Sequence, residues 1–177
     1  TKNLNHDQTY ELAYQFVRLC RQANVISIIN DRPDIAIAAS ADGVHVGQND
    51  IQPQQINKLA YYPLIIGKST HSPAQLQKAV DQNITYAALG PVFATPTKPK
   101  TQTVGLEYVK LAADKLKDTQ ILNVAIGGIN LENVNQVLDA GANCIAVCSA
   151  VTQSPDPLSA CKKLKEKITN HLQKQKD

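Results

Sequence analysis

No apolar run in this sequence approaches the ~20 residues needed to cross a bilayer, and the N-terminus has no signal-peptide pattern. Both absences predict a cytoplasmic chain with no membrane partner. No two of the four cysteines (Cys20, Cys144, Cys148 and Cys161) have CxxC spacing. Cys144 and Cys148 are expected on one strand, where four residues span about 13 Å, too far for a disulfide or a shared zinc ion. That predicts free, mostly buried thiols in a reducing compartment. Excess charge is also scarce, with a formal net charge of +3. The lysines gather in the last helix and tail (Lys162, Lys163, Lys165, Lys167, Lys174 and Lys176) without an aromatic or Arg-rich platform. They predict a solvated face and no nucleic-acid partner. Two-residue hairpin signals are missing too, which argues against antiparallel ribbons.

What is present is 177 residues with 43% hydrophobic content, enough for one domain with a substantial core. Short β-branched runs alternate with longer amphipathic stretches. The candidate strands are Val25–Ile29, Gly43–Val46, Leu64–Ile66, Tyr86–Leu89, Ile121–Ile126 and Cys144–Cys148. Several are near-continuous apolar runs, as in parallel strands buried on both faces. A helix from about His6 to Ala23 precedes them, with Leu12, Phe16 and Leu19 as its expected buried face. Leu158, Cys161, Leu164 and Ile168 mark the corresponding face of the last helix. Pro73 and Pro155 suit helical first turns. Repeated strand–helix units predict a parallel sheet with right-handed crossovers. Six strands fit an open doubly wound sheet or part of an eight-stranded barrel, and pattern does not choose between them.

Polar and glycine residues cluster after the strands: Asn30 and Asp31; Gly47, Gln48 and Asp50; Gly67, Ser69, Thr70 and His71; Gly90 through Thr95, Pro96, Thr97 and Lys98; Gly127 and Gly128; Cys148 and Ser149. Ligands of parallel α/β proteins bind at the carboxyl ends of strands, so these residues form the candidate site. Asp31 and Asp50, at adjacent strand ends, suit a magnesium shell completed by phosphate oxygens and water, although a lone Asp there also caps helices. Gly127-Gly128 and Cys148-Ser149 suit a backbone phosphate cradle. Thr95, Thr97 and Lys98 fit either a second anion contact or a solvated loop. His45, inside a strand, is expected to be hydrogen-bonded structure, not a base.

Several segments together resemble thiamine phosphate synthases. They are Ile28-Ile29-Asn30-Asp31, Gly43-Val44-His45-Val46-Gly47-Gln48-Asn49-Asp50, Gly67-Lys68-Ser69-Thr70-His71, Gly90 through Lys98, Val104-Gly105-Leu106 and Ala125-Ile126-Gly127-Gly128-Ile129. The similarity spans about residues 5–168 in order and spacing. It implies an α/β TIM barrel, with residues 1–171 as a single partial barrel domain and residues 172–177 as a flexible tail. It also implies Mg²⁺ on Asp31 and Asp50, with the pyrimidine diphosphate on Asn30, Ser69 and Lys98. The resemblance further implies that Ser69 and Lys98 act on the departing diphosphate, Ser69 as a hydrogen-bond donor. The thiazole phosphate falls to Thr95, Pro96, Thr97, Gly128, Cys148 and Ser149. Cys148 stands where the family usually has an aliphatic residue, but the contact there is through the backbone. A small homo-oligomer is a further implication.

One departure accompanies the resemblance. A Gln-x-Arg-x-Lys-like stretch of the family has no counterpart, and Thr1-Lys2-Asn3-Leu4-Asn5 resembles the loop that follows it. The expectation is a barrel lacking its first strand, first helix and second strand, poorly folded or inactive alone. Two other readings stay open: a related thiazole tautomerase with His71 as acid/base, and a phosphate-ligand-binding remnant without turnover.

Overall fold

The alternating pattern resolves into strand–helix units in the computed structural model, which describes residues 4–97 and 102–174. Among these residues the elements run α1 (His6–Gln22), β1 (Ile28–Asn30), α2 (Pro33–Ala38), β2 (Gly43–Val46), α3 (Pro53–Leu59), β3 (Ile65–Thr70) and α4 (Pro73–Val80). They continue with β4 (Tyr86–Leu89), α5 (Gly105–Leu116), β5 (Leu122–Ile126), α6 (Val134–Asp139), β6 (Cys144–Ala146), α7 (Ser149–Thr152) and α8 (Pro157–Lys174). The six strands form one sheet in the order β1-β2-β3-β4-β5-β6. The pairs β1–β2, β2–β3 and β5–β6 are parallel, as the absence of hairpin signals predicts. The chain divides into two compact units, Thr1–Ser69 with Ala79–Tyr86 and Thr70–Lys78 with Ala87–Asp177.

In the first unit, Val44 and Val46 on β2, Ile66 on β3 and Ile56 on α3 are buried. α1 opens with a reciprocal cap: Asn5 Oδ1 accepts the Gln8 N–H at 2.8 Å, and Gln8 Oε1 accepts the Asn5 N–H at 3.1 Å. Its packed face differs from the expected one. Ala13, Val17 and Cys20 are buried, whereas Leu12, Phe16 and Leu19 are 47%, 42% and 64% exposed. The small residues let the helix approach α2 closely, and the larger apolar stripe lies on another side.

Just ahead of the first two strands, Asp42 Oδ2 accepts both the backbone N–H and the hydroxyl of Ser27, each at 2.7 Å. The backbone N–H, then the hydroxyl, holds the Asp42 carboxyl below the usual carboxylate range. A carboxyl with a lowered folded pKa binds fewer protons folded than unfolded. Its stabilisation is therefore complete above the unfolded value of about 3.9 and vanishes as pH falls through the folded value. Urea midpoints measured from pH 6 down to pH 3 should fall less steeply for Asp42→Asn than for the parent.

β3 carries a buried cation. Lys68 is 1% exposed, and its Nζ donates to Gln52 Oε1 at 2.9 Å. Gln82 Nε2 donates to the same oxygen at 3.0 Å. Replacing Gln52 with Ala strips an acceptor from a buried ammonium and should cost about 1.5–3 kcal/mol, read as a lower denaturant midpoint at unchanged m-value.

In the second unit, Leu89, Val92, Tyr108, Val109, Ala112, Ala125, Val134 and Val137 form the core. The starts of β5 and β6 are joined by a reciprocal amide pair. The Asn123 N–H donates to Asn143 Oδ1 (3.1 Å) and the Asn143 N–H to Asn123 Oδ1 (2.8 Å). Pro157, not Pro155, opens α8, and of its expected apolar face Leu164 is buried while Leu158 is 65% exposed. Lys167 departs from the solvated face, because its Nζ donates to the Leu131 carbonyl. α8 continues to Lys174, three residues into the expected tail, because no helix breaker interrupts it and His171 pairs with Asp139 at 3.0 Å. Of the thiols only Cys20 is buried, and β6 ends at Ala146, leaving Cys148 beyond the strand. No helix among the described residues is long and apolar enough to cross a membrane.

Candidate functional site

Parallel register aligns the first three strands near their carboxyl ends, with β3 running three residues beyond Gly67 to Thr70. Asn30 pairs with His45, and His45 with Gly67. Asp31 follows β1 with a φ of 62°, a left-handed conformation that Asp and Asn accept more readily than most side chains. Its N–H donates to the His45 carbonyl at 2.8 Å, which extends the β1–β2 ladder by one bond. Asp50 follows β2 on a short turn, with Oδ2 accepting the Gly47 N–H at 2.6 Å. Gln48 reaches across to β3, its Nε2 donating to the Ser69 carbonyl at 2.6 Å. Asn30, Asp31, Asp50 and Ser69 thus all fall at the strand ends of the first unit.

The polar run after Ile66 is part of β3 and not a loop. Gly67 through Thr70 are strand residues, so Ser69 is held by the sheet. Its Oγ lies 2.9 Å from His45 Nε2, and His45 Nδ1 lies 3.0 Å from the Tyr86 hydroxyl. The rings of His45 and Tyr86 stack with centroids 5.6 Å apart. His45 is therefore the hydrogen-bonded strand residue expected of it. Tyr86 has no counterpart in the sequence reading, since nothing in the spacing joins it to Ser69.

In the second unit, strands β5 and β6 pair through Ile126 and Ala146, so Gly128 and Cys148 each follow two residues later. Gly127 and Gly128 have φ values of 103° and 65°. The Gly128 carbonyl accepts Asn133 Nδ2 at 3.0 Å, and the Phe93 N–H donates to the Gly127 carbonyl at 3.0 Å. A Cβ on Gly128 would sit 2.5 Å from the Ala94 carbonyl oxygen, so the double glycine lies directly against the segment leading to Thr95. Thr95 is half-buried, its Oγ1 accepting the Thr97 N–H at 3.3 Å, while Pro96 and Thr97 are exposed. Cys148 caps α7, whose first residue is Ser149. Lys98 lies outside the described residues. His71 Nδ1 sits 2.5 Å from the Gly90 carbonyl oxygen.

Two carboxylates are hard oxygen donors, the chemistry magnesium takes. Among the described residues no group of three or more His, Cys, Asp or Glu side chains could enclose a metal. A cation on Asp31 and Asp50 would therefore complete its shell with substrate oxygens and water, which is how magnesium usually binds. On that count the residues fit.

A parallel α/β sheet with polar and glycine residues at its strand ends defines a class of protein that binds ligands at those ends. The family model for thiamine monophosphate synthase matches residues 1–151, and the chain belongs to that family. The thiamine-phosphate synthase of Thermus thermophilus is 41% identical over 160 residues, covering 90% of this chain and 76% of that protein. Its namesake from Synechococcus sp. WH7803 is also 41% identical, over 89% of this chain and 44% of its own length. Among solved structures, thiamine phosphate pyrophosphorylase from Pyrococcus furiosus superposes with a TM-score of 0.88 at 32% identity, over 97% of this chain and 81% of that one.

Proposed function

We propose that this chain catalyses the joining of 4-amino-2-methyl-5-(diphosphomethyl)pyrimidine to a thiazole phosphate, giving thiamine phosphate and diphosphate. The bond from the pyrimidine methylene carbon to the diphosphate oxygen breaks, and the thiazole nitrogen lone pair forms the new carbon–nitrogen bond. With a carboxylated thiazole, CO₂ is lost as well. Supporting this reading is the placement of Asp31 and Asp50 after two paired parallel strands, in a chain matched by the family model over residues 1–151.

Asp31 and Asp50 would hold magnesium, which would supply positive charge for the departing diphosphate. Asn30 and Ser69 bind and orient the pyrimidine diphosphate, with Ser69 donating a hydrogen bond to a leaving-group oxygen. Lys98 adds an ammonium to the same group. Thr95, Pro96 and Thr97 hold the thiazole end, and the backbone around Gly128, Cys148 and Ser149 cradles its phosphate. None of these steps requires a side-chain nucleophile. The fold in this reading is an eight-stranded barrel, to which the described residues contribute six strands. A cytoplasmic homo-oligomer with no nucleic-acid or membrane partner belongs to the same proposal. A tautomerase would need His71 as its acid/base, yet one ring nitrogen of His71 is engaged by the Gly90 carbonyl.

The test is formation of thiamine phosphate from both substrates with and without Mg²⁺. Product that requires the metal is expected, against the sequence expectation that the chain is inactive alone. Turnover unaffected by chelation would sink the metal assignment, and isomerisation of the thiazole alone would replace the synthase reading with the tautomerase one.

A further inference from the structure

We propose that Tyr86 and His45 are positioning residues that set the direction of the Ser69 hydroxyl, so that Ser69 presents its hydrogen, and not its lone pairs, to an anionic ligand. The inference rests on the reading of Ser69 as a diphosphate contact.

Three groups stand in a row, with Tyr86 Oη 3.0 Å from His45 Nδ1 and His45 Nε2 2.9 Å from Ser69 Oγ. Heavy-atom distances leave two directions for the hydrogens in a neutral ring. In one, the phenol donates to Nδ1, Nε2–H donates to Ser69, and the serine hydrogen is released toward a ligand. In the other, every bond is reversed, Ser69 spends its hydrogen on Nε2, and its lone pairs face outward.

The phenol decides between them. Burial pushes the Tyr86 hydroxyl up to about 12, so it keeps its hydrogen at neutral pH. His45 Nδ1 is the hydrogen-bond partner of that hydroxyl among the described residues. If Nδ1 carried a hydrogen, the phenol would accept it, and its own hydrogen would be left with no other hydrogen-bond partner among the described residues. A part-buried donor that gives up its protein partner loses free energy, so the first direction is favoured. It is also the direction a phosphate oxygen requires, because such an oxygen only accepts.

Gly67 makes the row possible. A Cβ there would lie 1.9 Å from Tyr86 Cζ and 2.3 Å from its Oη, so the ring occupies the space that any side chain at 67 would take. Gly67 and Ser69 alternate along β3, which places the gap for the tyrosine two residues ahead of the serine it orients.

The experiment combines nitrogen-15 NMR of His45 with calorimetric binding of inorganic pyrophosphate in the presence of Mg²⁺. The wild-type ring should show a protonated Nε2 and a bare Nδ1. Tyr86→Phe keeps the ring and removes only the hydroxyl. It should abolish that single tautomer and weaken pyrophosphate binding on the order of tenfold, about what one lost hydrogen bond to a charged group produces. Ser69→Ala should weaken binding comparably, and the double variant little more. A wild-type ring protonated at Nδ1 overturns the proposal without needing any variant. If Ser69→Ala loses affinity but Tyr86→Phe does not, the positioning role fails and the diphosphate contact stands. If neither variant changes affinity although the tautomer is as expected, Ser69 is not the contact, and the proposal falls with the reading beneath it.

Discussion

Replacing Asp31 with Asn is expected to lower thiamine phosphate formation at least about a hundredfold and to abolish its response to Mg²⁺. Asn is the informative substitution because of the backbone. Position 31 sits at a φ of 62°, where Ala would add about 1–2 kcal/mol of strain, whereas Asn tolerates the left-handed region nearly as well as Asp. The N–H of residue 31 still reaches the His45 carbonyl, so the strand end keeps its shape. What disappears is one negative charge and a hard oxygen donor. Circular dichroism should be unchanged, and magnesium affinity measured with pyrophosphate present should collapse. A variant that folds and keeps the parent's magnesium dependence would show that Asp31 does not hold the cation.

Gly128→Ala should be a strongly damaging single-methyl change in the second unit. The added carbon would sit 2.5 Å from the Ala94 carbonyl oxygen and 2.8 Å from Phe93 Cβ, at a residue with a φ of 65°. Left-handed strain of about 1–2 kcal/mol adds to overpacking of about 1–3 kcal/mol. A loss near 3 kcal/mol lowers Tm by roughly 10 °C in a chain of this size. Gly105 supplies the control. Its φ of 71° is similar, but nothing lies within 4 Å of its would-be Cβ. Gly105→Ala should therefore cost the strain alone, about 1–2 kcal/mol. Equal melting temperatures for the two variants would remove close packing from the account. Under the proposed function, Gly128→Ala also pushes Ala94 and the segment toward Thr95 aside, so thiazole phosphate affinity should fall even at temperatures where the variant is folded.

Particular residues show what a sequence reading reaches and where it stops. β2 and β4 run Gly43–Val46 and Tyr86–Leu89, matching their expected bounds, since apolar content and strand end there coincide. β3 runs four residues past its expected end at Ile66, because Gly-Lys-Ser-Thr lacks the apolar character that marks a buried strand. Those residues stay in the sheet through ladder bonds and through the Gln52 acceptor that satisfies Lys68, a partner sixteen positions away. The α1 face was misassigned for a different reason. The helix has two apolar stripes, and large side chains dominate any hydropathy sum, while it is Ala13, Val17 and Cys20 that allow close approach. The strand-end placement of Asp31 and Asp50 was legible because it is a local property. Tyr86 was not, because its link to Ser69 passes through His45 and depends on an empty space at Gly67.

Residue 45 serves two neighbours by two different means. Its carbonyl receives the N–H of Asp31, and its ring spans Ser69 and Tyr86. The first duty is indifferent to side-chain identity and the second depends on it entirely. Mutational drift at this position therefore meets a narrow passage. A new side chain at 45 leaves the turn at Asp31 intact but strands Tyr86 in a gap shaped for a ring that has lost its partner. Replacement at 45 alone leaves the Ser69 hydroxyl and the Tyr86 phenol each without the ring nitrogen it now faces.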